Sequence, residues 1–329
     1  MAIELNTPVI GVDLGGTNMQ VAVVEFQDSG HVIHGRHWCE TGASAGAEAV
    51  MDRMVEGVEA ACTEAGVGRE RIAAVGIAAA GAVDINTGTV LDAPNLEWED
   101  VPLRDSMAQR LNMRVIVDND VNAAVWAEHQ LGAGRGHAEL LGVWVGTGVG
   151  GGLVIGNRLY HGPNFTAGEI GHTILLPDER PGCRTVEDLS SRSGMSRLID
   201  RKLHQFPKSL LHERSEVDDE LEPITMRMLV EALEQDDALV KRTVHRGAKM
   251  LGVAIANWVT ALSLECVVLG GGVVEAFGRP YLARIGASFN TSVFPDRLKQ
   301  CKLVMTELAG DAGTLGAGLL AAERGASSD

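Results

Sequence analysis

Residues 144–160 read WVGTGVGGGLVIGNRLY, and Gly146, Gly148 and Gly151 match G-x-G-x-x-G after the β-rich run Leu140 to Val145. A dinucleotide loop needs strand, glycine turn and then helix, because the pyrophosphate rests on the helix N-terminus. Here the residues after Gly148 hold four glycines among β-branched side chains, which predicts a second strand. Glu169 lies near the offset of a ribose-binding acid, but beyond a hairpin it is not in that place. The stretch therefore reads as a hairpin, "LLGVWV" with "GGLVIGNRLY", and not as an NAD site. A P-loop is excluded too, since the chain has no Gly-Lys dipeptide. Phosphate charge would have to be met by backbone N–H groups, hydroxyls and a metal ion.

Glycine turns can do this, because without a Cβ the backbone comes close to a phosphate and several N–H groups converge on it. Two such turns occur, "DLGGTN" (13–18) and "GTGVGG" (146–151). Either alone reads equally well as a tight β-turn. Their surroundings repeat: "IGVDLGGT" (10–17) and "LGVWVGTG" (141–148) align without gaps. Each opens a strand–turn–strand unit followed by helices and strands, which predicts a duplicated α/β domain pair. Asp13, at a strand end facing a cleft, suits an outer-shell role on Mg²⁺.

The chain has 329 residues, enough for two domains, and a net charge of −16. No basic patch stands out, so a nucleic-acid partner is not expected. The start, "MAIELNTPVIGVDLGG", lacks a basic n-region and cleavage site, and no long uncharged run occurs, so neither signal peptide nor membrane span is expected. Five widely spaced cysteines without C-x-x-C predict a reducing cytoplasm.

"PVIGVD" and "VAVVEF" predict a hairpin, to which "HVIHGRHW" adds a strand. Val50, Met54, Val58 and Ala61 mark a helix over 46–66. Strands are expected at 71–81 and 114–120, then a helix closed by Gly132 in the usual C-terminal glycine cap. A long helix over 237–264 precedes the strand "CVVLGGG" (266–272), the strand "KLVMTEL" and a terminal helix. Residues 200–224 read as a variable surface segment, with "SEVDDELE" a solvated acidic patch. In "VIVDNDVNAA", polar residues end a strand and open a helix. Asp118 or Asp120 there is either an N-cap or a carboxylate set at a cleft edge.

"VDLGGTN", "DNDVNAA", "GTGVGGG", "AGEIGH" and "LGGGVV" occur in that order, and the chain resembles the ROK family of bacterial sugar kinases over nearly its whole length. The stretch 81–103 is most similar to the glucokinase branch. The resemblance implies an α/β fold of two domains with duplicated actin-like ATPase (ribonuclease H-like) topology and a cleft between them. The boundaries expected are 1–121 plus 313–329 for the smaller domain and 122–312 for the larger. It implies ATP and Mg²⁺ as cofactors. Asp13, Gly15, Gly16, Thr17 and Asn18, with Gly146, Thr147 and Gly148, form the phosphate turns, while Gly270, Gly271 and Gly272 line the adenosine pocket. The family pattern picks Asp120 as catalytic base. It sets Asn95 and Asn119 on the middle sugar hydroxyls, and Glu169, His172 and Glu187 near the first and second carbons. Gly81 belongs to the sugar site, where the family's Pro-Gly is Ala80-Gly81. Homodimers are common in the family.

The family's cysteine cluster after "GEIGH", a Cys₃His zinc site, is reduced here to Cys183, so no structural zinc is expected. Pro177, Pro181 and hydrogen bonds across "PDERPGCR" are the candidates for holding that loop, and a neighbouring carboxylate for holding His172. ROK repressors carry an N-terminal winged helix–turn–helix, for which a turn at Asp13 leaves no room. The expectation is a glucokinase. Its rivals are a kinase for mannose, fructose, N-acetylglucosamine or N-acetylmannosamine, and a non-catalytic sugar sensor. ATP is favoured over polyphosphate by the acidic charge.

Overall fold

The computed structural model describes residues 5–28, 30–214, 216–217 and 220–325. β1 (Pro8–Leu14) pairs antiparallel with β2 (Asn18–Gln27), and β2 with β3 (Gly30–Glu40). α1 (Ala47–Ala65) follows and ends at Gly66, whose left-handed backbone closes the helix. β4 (Val75–Ala79) is buried throughout, as a parallel strand covered on both faces is. β5 (Ala82–Asp84), β6 (Thr89–Ala93) and β7 (Trp98–Val101) form a small antiparallel sheet that the sequence pattern does not announce. Next come α2 (Leu103–Leu111), β8 (Val115–Asn119) and α3 (Asp120–Leu131).

The strand expected from residue 71 starts only at Val75, because Arg69–Arg71 form a 3-10 turn. Asp120 belongs to the helix and not to the strand before it. Gly132 does close α3, through its N–H on Glu128 O, but with φ −117 and not in the left-handed form.

β9 (Leu140–Val145), β10 (Val149–Ile155) and β11 (Arg158–Tyr160) come next. The single strand expected over 151–160 is broken at Gly156 and Asn157, both at positive φ, as a two-residue hairpin turn of type I′ demands. The chain continues through α4 (Val186–Ser190), α5 (Arg192–Lys202), β12 (Glu216–Val217), β13 (Glu220–Leu221) and α6 (Met226–Glu234). α7 (Ala238–Leu262), β14 (Cys266–Gly270), α8 (Gly272–Ser292), β15 (Lys302–Met305) and α9 (Ala312–Gly325) complete it.

The duplication is visible in the sheets. One runs β3-β2-β1-β4-β8, the other β11-β10-β9-β14-β15. β1, β4 and β8 are parallel, and so are β9, β14 and β15. By contacts the chain divides into Met1–Gly136, Gly152–Ala167 and Gly310–Asp329 on one side, and His137–Gly151 and Gly168–Ala309 on the other. The first unit takes in α3 because α3 packs on α9. Its core sets Met54, Val58 and Ala61 of α1 with Val21, Val23 and Ile77 of the sheet. α9 lies directly on the strands: a methyl on Gly11 or Gly76 would collide with the α9 carbonyls of Thr314 or Ala317. In the second unit α7 packs along α8, burying Leu251, Ile255, Ile285 and Phe289.

Residues 200–224 are more firmly held than a variable surface segment. Leu203, Leu211 and Ile224 are buried, and buried Arg214 donates to Leu211 O, Glu222 O and Asp200. Within the acidic patch expected at 215–222, Ser215, Asp218 and Asp219 lie outside the described residues.

Candidate active site

The first glycine turn joins β1 to β2. Gly15 N–H donates to Asn18 O at 3.1 Å, and the loop is gripped by buried Thr41. Its hydroxyl donates to Gly15 O at 2.6 Å and its N–H to Thr17 O at 2.8 Å. Gly16 is required by a close approach: a methyl there would stand 2.6 Å from Asn95 O. The turn and the Asn95 loop are thus brought together. Asp13 sits one residue before the end of β1, and a methyl on Gly313, in the first turn of α9, would collide with its carboxylate. Although partly open to solvent, the carboxylate is ringed by protein, and desolvation pushes its pKa up to about 6.

The end of β8 resolves the choice between the two aspartates. Neither is the N-cap of α3; Asn119 is, its side chain accepting from Asn122 N–H at 3.0 Å. Asp118 is 1% exposed. It accepts from His161 Nε2 at 2.9 Å and faces Arg324 at 3.4 Å, so it is committed to the interior. Asp120 takes the first position of α3, where a carboxylate suits the helix dipole. Its Oδ1 accepts from Val121 N–H at 2.8 Å and from Asn119 Nδ2 at 3.0 Å. Asn119 Nδ2 also donates to Gly81 O at 2.9 Å. Gly81 has φ 104 and no room for a side chain against Asp92 and Ala93. Gly81, Asn119 and Asp120 therefore form one hydrogen-bonded group.

The second glycine turn joins β9 to β10. Gly146 N–H donates to Gly148 O at 2.9 Å. From the other side, Arg192 N–H donates to Gly146 O at 2.9 Å and Arg192 Nη2 to Thr147 Oγ1 at 2.9 Å. Glu187 Oε2 accepts from Val149 N–H at 2.9 Å, so this carboxylate braces the turn. Gly271, at φ 88, lies against the Val145 backbone: a methyl would come within 2.7 Å of Val145 O. With Gly270 ending β14 and Gly272 starting α8, "LGGGVV" is the strand–turn–helix that the 144–160 stretch is not. The glycine triad thus adjoins the second turn.

Glu169 precedes and His172 ends the 3-10 turn Ile170–His172, their side chains 4.0 Å apart. Desolvation raises the Glu169 pKa, opposed by His172 and reinforced by the charge of Glu187. These three residues thus share one neighbourhood, and Glu169 is the carboxylate beside His172. The loop beyond is closed by backbone bonding. Leu175 and Leu176 N–H both donate to Arg184 O, at 2.9 and 3.2 Å, Ile174 bridges Thr185, and Arg184 Nε donates to Glu179 O. A capping box between Thr185 and Asp188 then starts α4. Among the described residues no group of three His, Cys, Asp or Glu side chains is arranged to hold a metal ion. Thr41, His161, Arg192 and Arg324 escape sequence reasoning. Only Arg192 leaves a trace there, a cation placed just after the helix-starting Ser191.

A sequence profile described as the ROK family matches residues 9–324. The glucokinase of Halalkalibacterium halodurans is 30% identical over 94% of each chain. That of Streptomyces coelicolor is 31% identical over 95% of this chain and 97% of its own. The crystal structure of a ROK family glucokinase from Streptomyces griseus, in complex with glucose and AMPPNP, superposes with a TM-score of 0.80 at 32% identity. It covers 95% of this chain and 98% of the Streptomyces griseus chain.

Proposed function

The chain belongs to the ROK family, and from that premise we propose that it transfers the γ-phosphate of ATP to the 6-hydroxyl of a hexose, glucose before others. The observation that carries this reading is Asp120. It stands at the start of α3, oriented by Val121 N–H and Asn119, while Asp118 is engaged in the interior. The hydroxyl loses its proton late in a loose phosphoryl-transfer transition state, so a well-placed carboxylate serves better than a strong base.

In this reading Gly15, Gly16, Thr17 and Asn18 and Gly146, Thr147 and Gly148 present N–H and hydroxyl groups to the phosphates. Gly270, Gly271 and Gly272 line the adenosine pocket. Asn95 and Asn119 bind the middle sugar hydroxyls, and Glu169, His172 and Glu187 act near the first and second carbons. Sites built for a hydroxyl reject sugars that lack it. Counted by the duplicated topology the halves divide at 121/122, with 313–329 returning to the first, whereas by contacts α3 and residues 152–167 also pack with the first. The five free cysteines support a reducing cytoplasm.

Mg²⁺ fits Asp13. Desolvation raises that carboxylate's pKa, with no compensating hydrogen bond or cation among the described residues, so a hydrated divalent ion would relieve it. When bound, the ion neutralises charge on the phosphate oxygens. Asp13 would hold the ion, and the two turns would hold the phosphates still.

A coupled ADP-release assay over a sugar panel tests the reading. We expect glucose to give the highest kcat/KM. A higher value for mannose, fructose or an N-acetylhexosamine keeps the kinase and changes its substrate. Sugar binding by calorimetry with no turnover on any sugar rejects the kinase in favour of a sensor. Asp120→Asn is expected to keep sugar binding and lose nearly all turnover; more than a few per cent of wild-type kcat would remove Asp120 as the base.

A further inference from the structure

The second glycine turn carries a charge problem. Glu187 places a carboxylate oxygen on Val149 N–H, directly behind Gly148. A phosphate approaching Gly146–Gly148 meets that negative charge, and the chain has no P-loop lysine to offset it. The turn does have Arg192. Its backbone N–H donates to Gly146 O, the Ser193 N–H to Thr147 O at 3.3 Å, and the guanidinium to Thr147 Oγ1. The other arm of the guanidinium reaches Ile224 O at 3.5 Å. No carboxylate pairs with it among the described residues, in a chain of net charge −16.

The position is also unusual for a cation. Arg192 is the first residue of α5, an 11-residue helix whose start favours anions. Ser191 already caps that helix through Gly194 N–H. A positive side chain gains nothing for the helix there. It gains from an anion lying over the turn. The bond to Thr147 has a further effect. A hydroxyl has one proton, and Thr147 Oγ1 accepts from Arg192, so its own proton is left to donate to an incoming oxygen.

We propose that Arg192 is a phosphate-binding residue, which fixes the Thr147 hydroxyl as a donor and places a guanidinium beside the polyphosphate tail of the nucleotide. This rests on the kinase reading given above. Arg is well suited to the task, being always charged and able to bond the hydroxyl with one nitrogen and a phosphate oxygen with another. It also gives the 200–224 segment a function. The return of that segment at Ile224 supplies the second anchor of the guanidinium, and buried Arg214 pins the segment in place.

The test compares wild type with Arg192→Ala, Arg192→Lys and Arg192→Gln by kinetics and calorimetry. In Arg192→Ala, KM for ATP should rise about tenfold or more while KM for the sugar stays within about twofold. Affinity for ATP should fall by the same factor and affinity for adenosine should not change. Arg192→Lys should recover part of the ATP affinity and Arg192→Gln less. Unchanged ATP affinity, a parallel loss of adenosine and ATP affinity, or equal behaviour of the Lys and Gln variants would overturn the proposal. If Arg192→Ala does not fold, the Lys and Gln pair decides alone. If wild type phosphorylates no sugar, the kinase reading fails, and the ATP and adenosine titrations still judge Arg192.

Discussion

At the end of β1 the first glycine turn is preceded by Asp13; at the matching place in β9 the chain has Trp144. The two turns descend from one plan. Each follows the first strand of a five-stranded sheet, and both sheets share the order of their strands. Their surroundings have diverged. Asp13 lies against Gly313 of α9, whereas the Trp144 ring covers Gly270, where a methyl would come within 2.7 Å. The first turn has an acid nearby and its own backbone held by Thr41. The second has Glu187 behind it and Arg192 on its hydroxyl. The repeat places a glycine turn after the first strand of each sheet, closed by Gly15 N–H on Asn18 O in one and by Gly146 N–H on Gly148 O in the other. On the readings proposed above, side chains from elsewhere suit the first turn to a cation and the second to an anion.

The comparison can be broken most severely at Asp13. Asp13→Asn should lower kcat/KM for ATP with Mg²⁺ by about a hundredfold or more, and titration with Mg²⁺ should show a weaker requirement. The same variant should melt at a higher temperature than wild type at pH 7 without metal. The sign follows from linkage. A folded-state pKa raised from 3.8 to about 6 means that stability is fully present below about 4 and is lost as pH rises through about 6, and Asn escapes that loss. An Asp13→Asn protein less stable than wild type at pH 7 would contradict this.

The pH profile gives the next effect. Protonation of Asp13 below about pH 6 should weaken Mg²⁺, so that apparent Mg²⁺ affinity at pH 5 is about tenfold below its plateau. A profile flat to pH 5 would detach Asp13 from the cation. Gly313→Ala follows. Its methyl displaces the Asp13 carboxylate, at a cost of about 1–3 kcal/mol in denaturant unfolding and a severalfold loss in Mg²⁺ affinity. The smallest effect is expected at the counterpart position. Trp144→Ala, at a half-buried ring, should cost less than the roughly 3–5 kcal/mol of a core Trp→Ala and leave the Mg²⁺ requirement unchanged. A changed requirement would mean that the two turns are less specialised than their surroundings indicate.

What the sequence discloses of this molecule follows the range of the interactions involved. The two hairpins around the glycine turns are legible because β-branched residues and glycines lie side by side. The sheet of β5, β6 and β7 is not, because its strands are too short for alternation to register. The turn at Gly156-Asn157 carries a known signature and was obscured by the apolar residues on both sides of it. In the site, "DND" announces a carboxylate at a strand end. Which aspartate is held in the interior depends on His161 and Arg324, both far away in sequence, and no local spacing reveals that. The loop that lacks the zinc cysteines is closed through backbone carbonyls, which side-chain patterns do not display.

The tight seat of α9 on β1 and β4 bears on how the protein is made. The strands that carry the first turn leave the ribosome well before the helix that covers them. Until then Gly11, Gly76 and the flank of Asp13 have no partner, and a sheet face made for intimate backbone contact stands open. Domains generally fold from the N-terminus during synthesis, and exposed sheet faces are where growing chains go astray. For this chain the sheet face beside the first glycine turn is made well before the helix that completes it. A nascent chain stalled before residue 312 would therefore display that bare face to chaperones.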